Sequence, residues 1–199
     1  MPNLEESGYL MPRERGAADD VRVVRSHLPY HKMRINPMAK YIYVTRNPKD
    51  CCVALYHYIK HWFIRGRICY NDYFDHIIHY WVHRKDCHVL FLTYENMTLD
   101  HKSHIFMLAN FIGGVAGTMV KDRHMLKKLI HRSSYSYMSQ FFKDEEHLGN
   151  LAKGRIGEWK VLFSPAQAAR LDRKFYERFG NSEIANLWRY IVRFDRPAA

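Results

Sequence analysis

Cysteine is scarce in this chain, with four among 199 residues, at positions 51, 52, 69 and 87. They form no C-x-x-C pair, and adjacent Cys51 and Cys52 are poorly placed to bridge one another. Reduced, partly buried thiols are therefore expected, and neither a zinc site nor a disulfide framework. Long apolar runs are missing too. Nothing approaches the roughly 18 consecutive apolar residues of a membrane-crossing helix. The first twenty residues include Glu5, Glu6, Arg13, Glu14 and Arg15 and hold no apolar core of a secretory signal. A cytoplasmic protein without a membrane partner is expected. There is no internal repeat, no low-complexity tract and no G-x-x-x-x-G-K-[ST] phosphate loop. Acidic residues are in deficit, 20 against 31 Lys and Arg, which leaves a net charge of +11 and an isoelectric point near 9.5. Such a balance implies an anionic partner. The positive charges are dispersed instead of forming a K/R block, so a phosphate-bearing small molecule fits better than nucleic acid.

What is present is enough for one core. At 47% hydrophobic residues, the chain reads as a single domain from residue 21 to 199, preceded by a loosely structured segment over 1–20. "VRVVRSHLP" suggests a short strand ending near His27, and "YIYVT" a second from Tyr41 to Thr45. Asn47 can cap a helix opening at Pro48, with Cys52, Tyr56, Ile59 and Phe63 recurring on one face. In "YFDHIIHYWVHR", Phe74, Ile77, Ile78, Trp81 and Val82 follow the i, i+3, i+4, i+7, i+8 pattern of an amphipathic helix. "HVLFLTYEN" reads as a buried strand. Ile105, Leu108, Ala109 and Ile112 mark a helix stopped by Gly113 and Gly114, and Leu126, Leu129 and Ile130 mark another. "SPAQ" resembles a capping box, Ser164 to Gln167, for a helix through Leu171 and Phe175 toward Gly180. Strands separated by helices predict an α/β domain with a parallel sheet flanked by helices.

The junction "YVTRNPKD" is where that pattern gains chemistry. In parallel α/β sheets, ligands sit beyond the carboxyl ends of strands, where the next helix offers free N–H groups and its positive dipole end. Arg46 stands at such a point, and its guanidinium can grip a phosphate with two hydrogen bonds. Histidine pairs at 57/61 and 79/83 have metal-like i, i+4 spacing but lack an H-E-x-x-H motif, so no metal is expected.

Four segments, "RSHLP" at 25–29, "YVTRNPKD" at 43–50, "FLTYENM" at 91–97 and "KGRIGEW" at 153–159, stand in the order and approximate spacing of the cytosolic sulfotransferases. The chain resembles that family from about Val21 to Gly180. The resemblance implies a P-loop-like α/β fold that moves a sulfuryl group from 3′-phosphoadenosine 5′-phosphosulfate (PAPS) to a hydroxyl or amine of a small phenol-, steroid- or amine-type acceptor. It implies that His27 is the general base, a role suited to its ordinary pKa near 6.5. By the same resemblance Arg25 lies beside the transferring group, Arg46 binds the 3′-phosphate, and Tyr94 lies near the adenine. Ser133 and Tyr135 in "SSYSYM" match a nucleotide-binding stretch, and Lys153 and Gly154 match a loop that wraps the 3′-phosphate.

The departures are also specific. Arg25 replaces the family's lysine, which keeps the charge but not the shape. Ala54 stands where a serine hydroxyl would meet the 3′-phosphate, and Ala152 where an arginine would. The family's P-K-S-G-T-T-W loop, which holds the 5′-phosphosulfate, has no counterpart, so the chain reads as an N-terminally truncated sulfotransferase, the C-terminal two-thirds of that fold. Its activity alone is expected to be low. A non-catalytic relative that binds 3′-phosphoadenosine or another protein is the alternative. Only Lys160 is kept from the family's dimerisation stretch, so a homodimer is possible without being specified.

Overall fold

The computed structural model describes residues 23–64, 72–140 and 155–192, with side chains from 57 to 64 excepted. Strand β1 (Tyr41–Thr45) and strand β2 (Val89–Thr93) pair in parallel, in the register Tyr41↔Val89 through Thr45↔Thr93. Helices α1 (Pro48–Ile64) and α2 (Tyr73–Val82) lie between them in sequence. After β2 come α3 (Tyr94–Leu99), α4 (His101–Ile112), α5 (Gly114–Met119), α6 (Arg123–Arg132) and α7 (Tyr135–Met138). Beyond residue 154, α8 (Trp159–Leu162), α9 (Pro165–Phe179) and a 3-10 turn at Glu183–Asn186 follow. The mixed helix and strand order with a parallel sheet is the expected α/β fold.

The predicted helix ends hold for stated reasons. Asn47 Oδ1 accepts the Asp50 amide at 2.9 Å and so caps α1. Ser164 and Gln167 form the reciprocal capping box of α9. Gly113 ends α4 with φ +76° and ψ −163°, a conformation that only glycine adopts at low cost.

Several expectations fail. The strand at 21–27 is reduced, among the described residues, to an isolated bridge at Arg25. Val23 and Val24 are more than half and half exposed, and alternating apolar residues do not make a strand without a partner. The inward face of α1 is not the Cys52–Tyr56 stripe: both are exposed, whereas Lys49, Asp50 and Val53 are buried. The polar bonds of the first turn set the helix's rotation and override its apolar periodicity. Ile59 and Phe63 fall among the side chains not described.

The larger core joins Phe74 and Ile77 of α2 to Phe175 and Phe179 of α9, closed by Ile184, Trp188 and Val192. A smaller cluster of Tyr30, Tyr80 and Val89 sits under the 3-10 turn Tyr30–Lys32. Val82, expected on the inner face of α2, is exposed at the end of that helix. No described helix is long and apolar enough to cross a membrane.

Candidate functional site

Because Thr45 and Thr93 are register partners, the residues that follow them leave the sheet side by side. Those residues are Arg46 and Tyr94, and the guanidinium carbon of Arg46 lies 4.7 Å from the centre of the Tyr94 ring. The strand pairing thus brings together an arginine and an aromatic ring, both expected in the site. The arginine side chain is only 12% exposed. Its Nη2 donates to the Arg155 carbonyl at 2.8 Å, and Asp50 and Glu158 lie 3.9 and 3.8 Å away. Its Nε is buried and has no hydrogen-bond partner among the described residues. A buried donor left without an acceptor is costly, and an anionic group at this point would satisfy it.

The frame behind Arg46 is polar and dry. Asp50 accepts from the amides of Gly157 at 2.7 Å and Trp159 at 3.0 Å, and from Asn47 Nδ2 at 2.7 Å. Glu95 accepts from the amide and side chain of Asn47 at 2.8 and 2.7 Å, and from Trp188 Nε1 at 2.8 Å. Lys49 pairs with Asp172 at 2.7 Å and lies 4.1 Å from the Trp159 ring centre. Charges taken this far out of water persist only when hydrogen-bonded or paired, as these are. Sequence reasoning missed all of them. Their signal was the run of polar residues at a strand-to-helix junction, where a surface loop and a buried network look alike.

His27 is exposed, as is Arg25. The His27 carbonyl faces His76 Nε2 at 3.0 Å, and His76 Nδ1 is 3.0 Å from the Tyr43 hydroxyl. Tyr80 donates to the next carbonyl, that of Leu28, at 3.0 Å. Tyr73, on the same side of α2, bonds through its hydroxyl to the Arg46 carbonyl and, at 2.9 Å, to Thr45 Oγ1. One face of α2 therefore holds the backbone of both the His27 and the Arg46 segments. Burial pushes the Tyr73 and Tyr43 phenols up and keeps them protonated. It lowers the His76 pKa, with the neighbouring His27, His79 and His31 adding to the effect and the His27 carbonyl opposing it.

The remaining expected residues do not all converge. Ser133 is the C-cap of α6, its hydroxyl donating to Leu129 O at 2.7 Å and lying 3.0 Å from His101 Nε2. Tyr135 opens α7 and is exposed. Among the described residues, no hydrogen bond or ring contact joins either to Arg46 or Tyr94. Lys153, Gly154 and Ala152 lie outside the described residues, although Arg155 and Gly157, just after them, touch Arg46 and Asp50. A recess of about 900 Å³ beside Cys52, Val53 and Leu171 contains none of the expected site residues.

The histidine pairs play other parts. His83 binds Asp86 at 2.9 Å and stacks on Tyr30, and the His79 ring packs against that of His31. His57 and His61 are outside the described side chains. Among the described residues no group of three or more His, Cys, Asp or Glu gathers as metal ligands. Cys51, Cys52 and Cys87 are free thiols, and burial raises that of Cys51 to about 11.

An α/β domain with an arginine and an aromatic ring at the carboxyl ends of parallel strands has the form of an anion- or nucleotide-binding site. Comparison with known proteins makes this specific. A family model described as a sulfotransferase domain matches residues 6–183. The chain belongs to the sulfotransferase family. Sulfotransferase 1C2 of Rattus norvegicus is 28% identical over 187 residues, which cover 82% of this chain and 63% of that protein. The amine sulfotransferase of Oryctolagus cuniculus is 28% identical over 193 residues, 84% of this chain and 64% of that one. The chain thus spans less than two-thirds of the length of these relatives. The structure of mouse sulfotransferase SULT7A1 complexed with PAP matches with a TM-score of 0.62 at 26% identity, over 76% of this chain and 62% of the other. Retinol dehydratase, solved with androsterone and the inactive cofactor PAP, shares the fold with a TM-score of 0.71 at 20% identity, over 90% of this chain and 57% of the other.

Proposed function

We propose that this chain is the part of a PAPS-dependent, cytosolic sulfotransferase that binds the 3′-phosphoadenosine half of the donor and carries the base for its acceptor. The observation behind this reading is Arg46, buried beside the Tyr94 ring with an Nε that no described residue satisfies. Arg46 would hold the 3′-phosphate through its planar fork, aided by Lys153 and Gly154. Tyr94, with Ser133 and Tyr135, would receive the adenosine. The mouse relative solved with PAP supports a nucleotide of this type.

When bound, the donor supplies an activated sulfuryl group to an acceptor oxygen or nitrogen. His27 would take the acceptor's proton, and Arg25 would offset the negative charge that develops nearby. Relatives named for an amine and for a 3-alpha-hydroxysteroid support a small acceptor with an amine or hydroxyl group. No residue of this chain is assigned to the 5′-phosphosulfate, so little turnover is expected from the 199 residues alone. The test is a radiolabelled-donor assay on this chain beside a form extended with a P-K-S-G-T-T-W-like loop, using phenol, steroid and amine acceptors. Transfer by the extended form alone is expected. Failure of both forms would overturn the enzyme reading, and equal turnover would overturn the need for that loop.

A further inference from the structure

The segment that carries His27 has little secondary structure of its own, yet two successive carbonyls in it are gripped from α2. His76 meets the His27 carbonyl at 3.0 Å and Tyr80 the Leu28 carbonyl at 3.0 Å. The two side chains are four residues apart, one above the other on one helical face. We propose that His76 is a positioning residue for His27, fixing the backbone from which that imidazole projects, with Tyr80 as its auxiliary. This rests on the reading of His27 as the base.

The chemistry of the partners assigns the tautomer. A carbonyl can only accept, so His76 Nε2 must carry hydrogen; a neutral ring then leaves Nδ1 as an acceptor for the Tyr43 hydroxyl. The Tyr43 ring is itself held, stacked on Tyr80 at 3.9 Å with an interplanar angle of 6° and packed against Phe91 at 5.1 Å. The chain of contacts runs from the sheet through Tyr43 and His76 to His27. Tyr73 ties the same helix face to Arg46, so α2 also sets the spacing between the proposed base and the proposed phosphate ligand. At a rise of about 1.5 Å per residue, positions 73, 76 and 80 sample roughly 10 Å along the axis.

The test uses the full chain labelled with ¹⁵N-histidine, its ring signals assigned by single substitutions. His76 is expected as the Nε2–H tautomer. In His76→Phe, which keeps a ring but removes the donor, the His27 signals should shift or broaden and the Leu28 amide should exchange with solvent about tenfold faster or more. His76→Gln places an amide N–H near the lost Nε2 and should restore the wild-type behaviour of both. Tyr80→Phe deletes a single hydroxyl and should reproduce part of the effect even if His76→Phe folds poorly. The proposal is overturned if His27 and Leu28 are unchanged in His76→Phe and Tyr80→Phe, or if His76→Gln disturbs them as much as phenylalanine does. These signals report order at His27 whether or not it is a base, so failure of the catalytic reading, seen in His27→Ala turnover, is separable.

Discussion

Asp50 Oδ2 accepts the amide of Gly157 at 2.7 Å, across 107 positions of the chain. With the bond from Trp159 to Oδ1, this carboxylate fastens the "GEW" turn against the first turn of α1 and so frames the Arg46 side chain. Asp50→Asn keeps the shape but turns an amide donor toward one of the donors that Asp50 now accepts. Hydrogen bonds to charged groups contribute about 1.5–3 kcal/mol, and a loss of that order is expected in urea unfolding. An unchanged midpoint would mean that the clamp contributes nothing to stability.

Arg46→Ala should weaken binding of adenosine 3′,5′-bisphosphate by about ten- to a hundredfold, the equivalent of one charge-assisted hydrogen-bond set. Binding of adenosine 5′-monophosphate should change far less. Calorimetry on both nucleotides decides the matter, and equal losses would reduce Arg46 to a structural or general electrostatic role.

His27→Ala, made in a form that transfers sulfuryl groups, should lower turnover by about a hundred- to ten-thousandfold, the usual contribution of a general base. Nucleotide affinity should be nearly unchanged, because His27 is proposed to face the acceptor and not the adenosine. Full turnover under saturating substrates would remove the assignment.

The lowered pKa of His76 has a sign in stability. The folded protein favours the neutral ring, so the unfolded chain binds more protons between the folded value and the ordinary value near 6.5. The contribution is complete above about 6.5 and is lost as pH falls through the lower folded value. Melting temperature should therefore drop on acidification from about pH 7.5 to 5.5, and drop less in His76→Gln, which has nothing to titrate there. Scanning fluorimetry at matched ionic strength measures the difference; parallel curves would contradict the direction given.

Much of this was legible in the sequence, and for identifiable reasons. Cap chemistry located α1 and α9, because Asn47 and Ser164 act on amides within three residues of themselves. The β2 strand followed from its apolar run and Arg46 from its position at the end of β1, whereas Tyr94 was pointed out only by the family resemblance. Long-range polar bonds were not legible. Nothing local reveals that Glu95 answers Asn47 and Trp188, or that Lys49 turns inward to Asp172. The same blindness misplaced the buried face of α1. The strand expected at 21–27 failed for a related reason, since Val23 and Val24 are exposed on a segment that, among the described residues, pairs only at Arg25.

The segment "RNPKD" divides its labour unequally. Asn47, Pro48, Lys49 and Asp50 are all buried, while the Arg46 side chain keeps 12% of its surface exposed. Four letters of this signature thus serve the interior of the protein, and the first is the one for which we propose a part in its chemistry. If the proposed role is right, a descendant that lost it would still need the four for its interior, and the arginine for no more than its contacts with Arg155, Asp50 and Glu158. On that reading the segment as a whole reports architectural integrity, and the state of its first letter is what would separate working enzymes from retired ones.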